Sequence, residues 1–244
     1  MSSGTPEQAI DIRRVCKRYR VGELEIPVLK DLSLHIDAGE LVAIVGASGN
    51  GKSTLLNIIT GIDRPTSGQV VIHGESIHEM QENQLARWRR RQIGIVFQFF
   101  QLLPALTILQ NVILPMDFAG NLPRPRRRKR ALELLELVGL SDQAARLPNA
   151  VSGGQQQRAA IARSLANDPP IVVADEPTGN LDPQTSHEVF SIFVDLVGRG
   201  KTVVLVTHDG ELACRAPRRI EIRDGRITRD GACRERAALK QPSS

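Results

Sequence analysis

The sequence contains few aromatic residues. One tyrosine and one tryptophan occur among its 244 residues, and all aromatics together make up 3%. Proteins that bind single-stranded nucleic acid without sequence preference stack successive bases on aromatic side chains. The composition therefore gives no indication of such a stacking platform, although the formal net charge is +5.

Cysteines and long apolar segments are also scarce. The three cysteines, Cys16, Cys214 and Cys233, are widely spaced and include no C-x-x-C pair, which predicts neither a disulfide framework nor a zinc site. No apolar run approaches the ~18 residues of a membrane span, and the first residues, MSSGTPEQ, lack the charged start and apolar stretch of a secretory signal. We therefore expect a cytoplasmic protein that reaches a membrane only through a partner.

The positive charge is concentrated in two short segments. Six cations lie in RPRRRKR, residues 124–130, and without them the net charge of +5 would become −1. A second group, Arg87 with Arg89 to Arg91, surrounds Trp88. Each segment is interpreted either as a solvated helix face or loop, or as a contact site for anionic lipid or a partner protein. Nucleic acid is not expected as a partner.

The segment IVGASGNGKSTLLNIITG, residues 44–61, follows an apolar run and turns helical. It matches G-x-x-x-x-G-K-[ST], in which backbone N–H groups cradle phosphate oxygens, the lysine reaches the β and γ phosphates and the serine hydroxyl ligates Mg²⁺. The alternative is an ordinary glycine-rich turn, but a strand pattern before it and a helix from about Lys52 to Thr60 after it favour the phosphate loop. The expected phosphate-binding residues are Gly46, Ala47, Ser48, Gly49, Asn50, Gly51, Lys52, Ser53 and Thr54.

Apolar patterning predicts an α/β fold in two interleaved parts. The short runs LVAIV, IGIVF, IVVA and TVVLVT are apolar on both faces, as strands of a covered parallel sheet should be. The alternating stretches AIDIRRVCKRY, VLKDLSLHI and GQVVIHG predict an N-terminal antiparallel sheet. Between the second and third apolar runs, at about residues 99–168, a helical pattern predicts an inserted subdomain.

Two local patterns within this plan are specific enough to test. In RRRKRALELLELVG we expect a helix with apolar positions at Leu132, Leu135 and Val138, flanked by Leu134 and ended by Gly139. In IEIRDGRIT, an Asp-Gly pair between alternating residues predicts a β-hairpin. Residues 1–7 and 234–244 carry no core pattern and are expected to be loose tails.

Polar residues follow the apolar strands where each strand ends. Gln98 follows IGIVF, Asp175 and Glu176 follow IVVA, and His208 follows TVVLVT. Taken singly, each has a structural interpretation, such as a helix cap or a surface charge. Because open α/β sheets bind ligands at the carboxyl ends of their strands, we expect these residues to meet beside the phosphate loop. The pattern predicts a hydrolytic site, with Asp175 in the Mg²⁺ shell, Glu176 accepting a proton from water, and Gln98 and His208 sensing the γ-phosphate.

One motif does not fit a single-site enzyme. VSGGQQQR, residues 151–158, begins a helix expected to run to about Asn167, and Ser152 with Gln155 satisfies a capping box. The motif is therefore interpreted either as a well-capped helix or as a second receptor for phosphate, since glycines at a helix start expose backbone N–H groups. A second receptor is intelligible if it serves the nucleotide bound by another copy.

In this order, the motifs resemble those of the ATPase subunits of ATP-binding-cassette (ABC) transporters, over residues 8–232. Tyr19 is similar to the adenine-stacking aromatic, GASGNGKST to the Walker A loop, Gln98 to the Q-loop, SGGQ to the signature, IVVADE to Walker B, GNLD to the D-loop, and His208 to the switch histidine. QFFQLLPALTILQNV and ADEPTGNLD resemble the subgroup of the macrolide exporter, lipoprotein-release and cell-division ATPases. Val151 and Asn50 depart from the commoner leucine and serine.

The resemblance implies a P-loop NTPase (RecA-like) core that uses ATP and Mg²⁺. Two copies, or one copy and a similar ATPase, would form a dimer driving an integral-membrane permease at the inner face of the cell membrane. Ser53, Gln98 and Asp175 would hold the metal, with Glu176, His208 and Gln98 as the catalytic residues. The second copy would contact ATP through Ser152, Gly153, Gly154, Gln155 and Asp182. The alternatives are a soluble ABC ATPase acting on nucleic acid or ribosomes and a stand-alone P-loop kinase, which would leave SGGQ without a role.

Overall fold

A computed structural model describes residues 8–120 and 122–233. The described strands are β1 Gln8–Val21, β2 Leu24–Asp37, β3 Leu41–Val45, β4 Ser67–Ile72, β5 Glu75–Ser76, β6 Ile93–Val96, β7 Ile171–Asp175, β8 Thr202–Thr207, β9 Arg218–Arg223 and β10 Arg226–Gly231. The α-helices are α1 Lys52–Ile59, α2 Glu82–Gln92, α3 Ile108–Ala119, α4 Arg124–Leu137, α5 Gly153–Ser164, α6 Pro183–Gly198 and α7 Gly210–Arg215. The expected tails, 1–7 and 234–244, lie outside the described residues.

Two sheets form the framework. The central sheet has the strand order β10-β9-β3-β8-β7-β6, in which every neighbouring pair is parallel except β9 with β10. The second sheet, β2-β1-β4-β5, is antiparallel. The four apolar runs are β3, β6, β7 and β8, so the predicted parallel sheet and N-terminal antiparallel sheet are both confirmed.

Both faces of the central sheet are covered, which explains why its strands lack alternation. In β3, Leu41, Ala43 and Val45 belong to a core shared with α3 to α7, whereas Val42 and Ile44 belong to a second core shared with α1, α2 and the antiparallel sheet. A strand buried on both sides must be apolar at every position. The phosphate loop thus begins at the end of a strand held from both faces.

Helix α4 buries the predicted positions Leu135 and Val138 and the flanking Leu134, but not Leu132. Ala131, Leu134 and Leu135 are buried, whereas Leu132 is 38% exposed. The buried stripe recurs at i, i+3, i+4 and i+7, and it continues to Val138. The prediction of a core position at Leu132 was wrong because Ala131, a small residue at the start of this stripe, was not counted.

The C-terminal hairpin is confirmed, and its pairing overturns the expectation that the cysteines form no disulfide. Strands β9 and β10 pair around Asp224 and Gly225, with Arg219 opposite Gly231. This register returns the chain to the end of α7, where Cys214 and Cys233 form a disulfide with Cα atoms 5.3 Å apart. The expectation of no disulfide failed because residues 19 positions apart in sequence become neighbours only through hairpin pairing.

Candidate nucleotide-binding and hydrolysis site

The phosphate loop connects β3 to α1 and requires glycine at two positions. A Cβ atom at Gly46 would lie 2.3 Å from the carbonyl oxygen of Ile222 in β9. Gly51 has φ +95°, and a Cβ there would lie 2.8 Å from a methyl group of Leu29. The backbone of β9 at Gly46 and the positive φ at Gly51 both favour glycine, so the loop packs closely between β9 and β2.

Two side chains hold the loop in shape. Lys52 is 7% exposed, and its ammonium donates hydrogen bonds to the carbonyl oxygens of Gly46 (2.7 Å) and Ala47 (3.2 Å). The Asn50 side-chain amide donates to the carbonyl oxygen of Ile222 at 3.2 Å. The asparagine that departs from the commoner serine therefore anchors the loop to β9, a contact that sequence reasoning missed because it joins residues 172 positions apart.

The four residues at the strand ends share one cavity with the phosphate loop. This cavity, of about 660 Å³, is lined by Val28, Ser48, Gly49, Gly51, Lys52, Ser53, Thr54, Gln98, Asp175, Glu176 and His208. Parallel strands β3, β6, β7 and β8 each deliver their carboxyl end to this edge, which is why residues far apart in sequence meet there. Val28, from β2, is the lining residue that carried no signal in the sequence.

Asp175, at the end of β7, lies beside the first turn of α1. Its Oδ1 accepts a hydrogen bond from the Ser53 hydroxyl at 3.4 Å. Burial raises the pKa of the Asp175 carboxyl, and the nearby charge of Glu176 raises it further. A hydroxyl and a partly buried carboxylate are the oxygen ligands that Mg²⁺ prefers, so Ser53 and Asp175 fit the metal expected from the sequence.

Glu176 has an unusual backbone and a defined partner. Its φ is +46°, a conformation that costs a residue other than glycine about 1–3 kcal/mol. Its Oε2 accepts a hydrogen bond from the backbone N–H of His208 at 3.2 Å and contacts the histidine Nδ1 at 2.8 Å. The strained backbone and the histidine together aim the carboxylate along the cavity wall.

Tyr19 lies on β1 outside the residues that line the cavity. Its hydroxyl donates to Asp63 Oδ2 at 2.7 Å, and the Lys17 ammonium lies 4.8 Å from the ring centroid. Burial raises the pKa of the Tyr19 hydroxyl, with the hydrogen bond to Asp63 acting in the same direction. The ring is 38% exposed, so its position is set by Lys17 and Asp63, two residues that the sequence patterns did not indicate.

The signature motif also lies outside the cavity. Ser152 caps α5, and the predicted capping box with Gln155 is present, although the helix ends at Ser164 instead of near Asn167. A Cβ at Gly154 would lie 2.3 Å from the Thr185 methyl group of α6, so the two helices make close contact there. Thr185 also donates to Asp182, the N-cap of α6, and these hydrogen bonds lower the pKa of the Asp182 carboxyl.

The part of the chain that the structure describes contains neither a membrane span nor a side-chain metal cluster. Across residues 8–120 and 122–233, no helix is both long and apolar enough to cross a bilayer. Within the same residues, no group of three or more His, Cys, Asp or Glu side chains is placed to hold a metal ion. The magnesium site expected from the sequence uses only one such residue, Asp175, together with a hydroxyl and an amide.

Residues 29–179 match the family model described as ABC transporter. An uncharacterized ABC transporter ATP-binding protein of Thermotoga maritima is 50% identical over 221 residues, 91% of this chain and 94% of that protein. The macrolide export ATP-binding/permease protein MacB of Burkholderia pseudomallei is 48% identical over 91% of this chain, which spans only 34% of that longer protein.

Solved structures agree with the sequence relatives. A dimeric ATP-binding cassette in a post-hydrolysis state, bound to ADP and Pi, is 45% identical to this chain. The two superpose with a TM-score of 0.86 over 92% of this chain and 99% of that one. Together with the family match and the fold, these likenesses establish that the chain belongs to the ABC transporter family, as one of its ATPase subunits.

Proposed function

We propose that the chain hydrolyses ATP as a head-to-tail dimer, with each nucleotide held between the phosphate loop of one copy and the signature motif of the other. The observation that supports this arrangement is the position of α5. Its start, at Ser152 and Gly153, is exposed to solvent, yet it does not line the cavity of its own chain. An exposed helix N-terminus with glycines is a suitable anion receptor, and a second copy would bring an anion to it.

Within each site we assign the residues the following roles. Ser53 and Asp175 would hold Mg²⁺ together with Gln98, and the bound ion would neutralise charge on the β and γ phosphates. Lys52 would contact the phosphates, and Tyr19 would stack on the adenine. Glu176 would accept a proton from water, since its carboxylate lines the cavity and is held by His208.

Subunit mixing tests the shared site directly. A Lys52→Ala variant lacks the phosphate-loop lysine, and a Ser152→Ala variant lacks the cap of the signature helix, so each homodimer should be inactive. In a heterodimer of the two, both defects fall in one site and the other site is intact. An equal mixture should therefore recover activity, amounting to about a quarter of the parental sites where the subunits pair at random, because half of the dimers are then mixed and each contributes one intact site. No recovery after subunit exchange would refute a shared site.

We further propose that the chain drives an integral-membrane permease, which would hold it at the inner face of the cell membrane. The supporting surface is the segment 97–106, which follows β6. Phe99 is 73% exposed and Leu103 45% exposed, whereas Leu102 packs against the core. Two large apolar side chains exposed beside Gln98 are suited to contact a partner and to transmit a change at the γ-phosphate.

Polar substitution of this surface separates the two roles it could have. Phe99→Ser and Leu103→Ser should leave the fold and ATP binding intact and abolish co-purification with the permease. Val194 on α6 is 46% exposed, nearly the same as Leu103, so Val194→Ser is the matched control for Leu103→Ser. If both surface variants bind the permease normally, the docking assignment is wrong. If the protein instead co-purifies with RNA or ribosomes, a soluble ABC ATPase is the better interpretation.

The domain limits follow the same proposal. The ATPase domain would extend over residues 8–232, and the helical subdomain over about 99–168. The segment contains α3, α4 and α5, which pack on one another in one core. Arg163 of α5 donates hydrogen bonds to the carbonyl oxygens of Phe100 (2.7 Å) and Gln101, linking this subdomain to the segment after Gln98.

A further inference from the structure

A pair of cysteines outside the ATP site forms a covalent link between two elements. Cys214 lies at the end of α7 and Cys233 lies two residues beyond β10. Their disulfide joins the helix to the C-terminal hairpin. Both residues are partly exposed, so a small molecule in solution has access to them. The third cysteine, Cys16, lies on β1 and is a free thiol.

A positive charge lies beside one of the two sulfurs. The Arg219 guanidinium donates to Cys214 Sγ at 3.6 Å through its Nη1 atom. Arg219 is fixed in this position because its backbone belongs to β9, which pairs with both β3 and β10. When the bond is open, a guanidinium at this distance favours the thiolate of Cys214, and the thiolate is the nucleophile of disulfide exchange.

We propose that Cys214 and Cys233 are a reversible redox modification site, closed by a low-molecular-weight disulfide such as glutathione disulfide and reopened by dithiols. The Cys214 thiolate attacks one sulfur of the small disulfide, whose S–S bond breaks and releases one thiolate. The Cys233 thiolate then attacks Cys214 Sγ in the mixed disulfide and expels the second thiolate. Two cysteine thiols are oxidised, the small disulfide is reduced to two thiols, and the two cysteine protons end on those thiols.

The site lies close in the chain to the catalytic histidine. Helix α7 begins two residues after His208, and Asp209 caps it by accepting hydrogen bonds from the N–H groups of Glu211 (2.9 Å) and Leu212 (3.1 Å). A helix of six residues has little stability of its own. Closing the disulfide ties its last turn to the hairpin and should suppress local opening of α7.

The experiment uses the full-length chain. Fully reduced protein is incubated with glutathione disulfide, and peptide mass spectrometry and amide hydrogen exchange are recorded before and after dithiothreitol. We expect a Cys214–Cys233 linkage, two hydrogen atoms lighter than the reduced pair, and at least about tenfold slower exchange in α7. Dithiothreitol should reverse both changes. Cys16→Ser should behave like the parent, and Cys214→Ser should show no change in α7 exchange.

Rates of bond formation test the role of the arginine. Arg219→Gln should slow closure by about threefold for each unit by which the pKa of the Cys214 thiol rises. The factor is less than tenfold because the smaller fraction of thiolate is partly offset by the higher nucleophilicity of that thiolate. Arg219→Lys retains the charge and should keep most of the rate. Arg226→Gln, an exposed arginine on β10, is the matched control and should close at the parental rate.

Three results would overturn the proposal. The first is a product in which Cys16 or a second chain supplies the partner sulfur. The second is equal exchange of α7 in the oxidised and reduced protein. The third is closure at the parental rate in Arg219→Gln, which would remove the arginine from the mechanism. Far-ultraviolet circular dichroism of each variant verifies that a change in rate does not come from unfolding.

Discussion

Replacement of Glu176 by glutamine separates the chemistry of the site from its shape. Glutamine retains a side-chain carbonyl oxygen, so the hydrogen bonds that Glu176 Oε2 accepts from the backbone N–H and ring of His208 can persist. The charge is lost, and with it the ability to take a proton from water. Loss of a general base costs about 10²–10⁴ in rate, so ATP should bind and remain intact.

The structure allows the consequence for the dimer to be estimated. Lys52, Gln98 and His208 line the cavity of their own chain and would contact the γ-phosphate in monomer and dimer alike, so only the contacts made by Ser152, Gly153 and Gly154 of a second copy favour the dimer. Two or three such charge-assisted hydrogen bonds at about 1.5–3 kcal/mol each amount to roughly 3–9 kcal/mol per site, and twice that for the two sites of a dimer. A difference of about 5.5 kcal/mol is enough to shift a two-state equilibrium from 1:99 to 99:1. Keeping the γ-phosphate should therefore keep the dimer closed.

Sedimentation velocity measures this outcome. Glu176→Gln with ATP should sediment as a dimer, and with ADP as a monomer, whereas the parent with ATP should return to monomer as the nucleotide is consumed. The double variant with Lys52→Ala is the control and should stay monomeric with ATP. A Glu176→Gln protein that remains monomeric with saturating ATP at high concentration would refute the reasoning, as would hydrolysis at the parental rate.

Three further predictions follow from contacts and charges in the structure. Because burial raises the pKa of Asp175 from its ordinary value of 3.8, the folded protein binds this proton more tightly, and that stabilisation is lost as pH rises through the folded pKa. In the absence of nucleotide and Mg²⁺, Asp175→Asn should therefore have a higher melting temperature than the parent at pH 7 and the same melting temperature as the parent below pH 3.8. Gly154→Ala places a methyl against Thr185 and should cost about 1–3 kcal/mol in urea unfolding, whereas Gly153→Ala, where a Cβ would make only ordinary contacts 3.7 Å from Phe100 and 3.9 Å from Leu181, should cost less. Replacing the cations of residues 124–130 by glutamine should leave ATP turnover unchanged. Nucleic-acid binding should also be unchanged, because we expect no steeply salt-dependent affinity in the parent; tight RNA binding by the parent at physiological salt would contradict this.

Local patterns were reliable wherever one contiguous segment carries its own physical signal. The phosphate loop, the hairpin at Asp224 and the capping box at Ser152 are each specified within fewer than ten residues, and the structure has all three elements. The four parallel strands were equally readable, since burial on both faces leaves a continuous apolar run. One position of the α4 stripe, Leu132, was predicted wrongly because an alanine, with little hydrophobic signal of its own, begins the stripe.

The amino-acid sequence by itself determined the fold class, the order of the elements and the residues delivered at each strand end. Only the tertiary structure decided which distant groups touch: Asn50 with Ile222, Glu176 with His208, and Cys214 with Cys233. The reason is physical. Propensity, periodicity and capping act over a turn of helix or a few strand residues, whereas these contacts depend on sheet order, hairpin register and helix packing, which arise only when the whole chain buries its core.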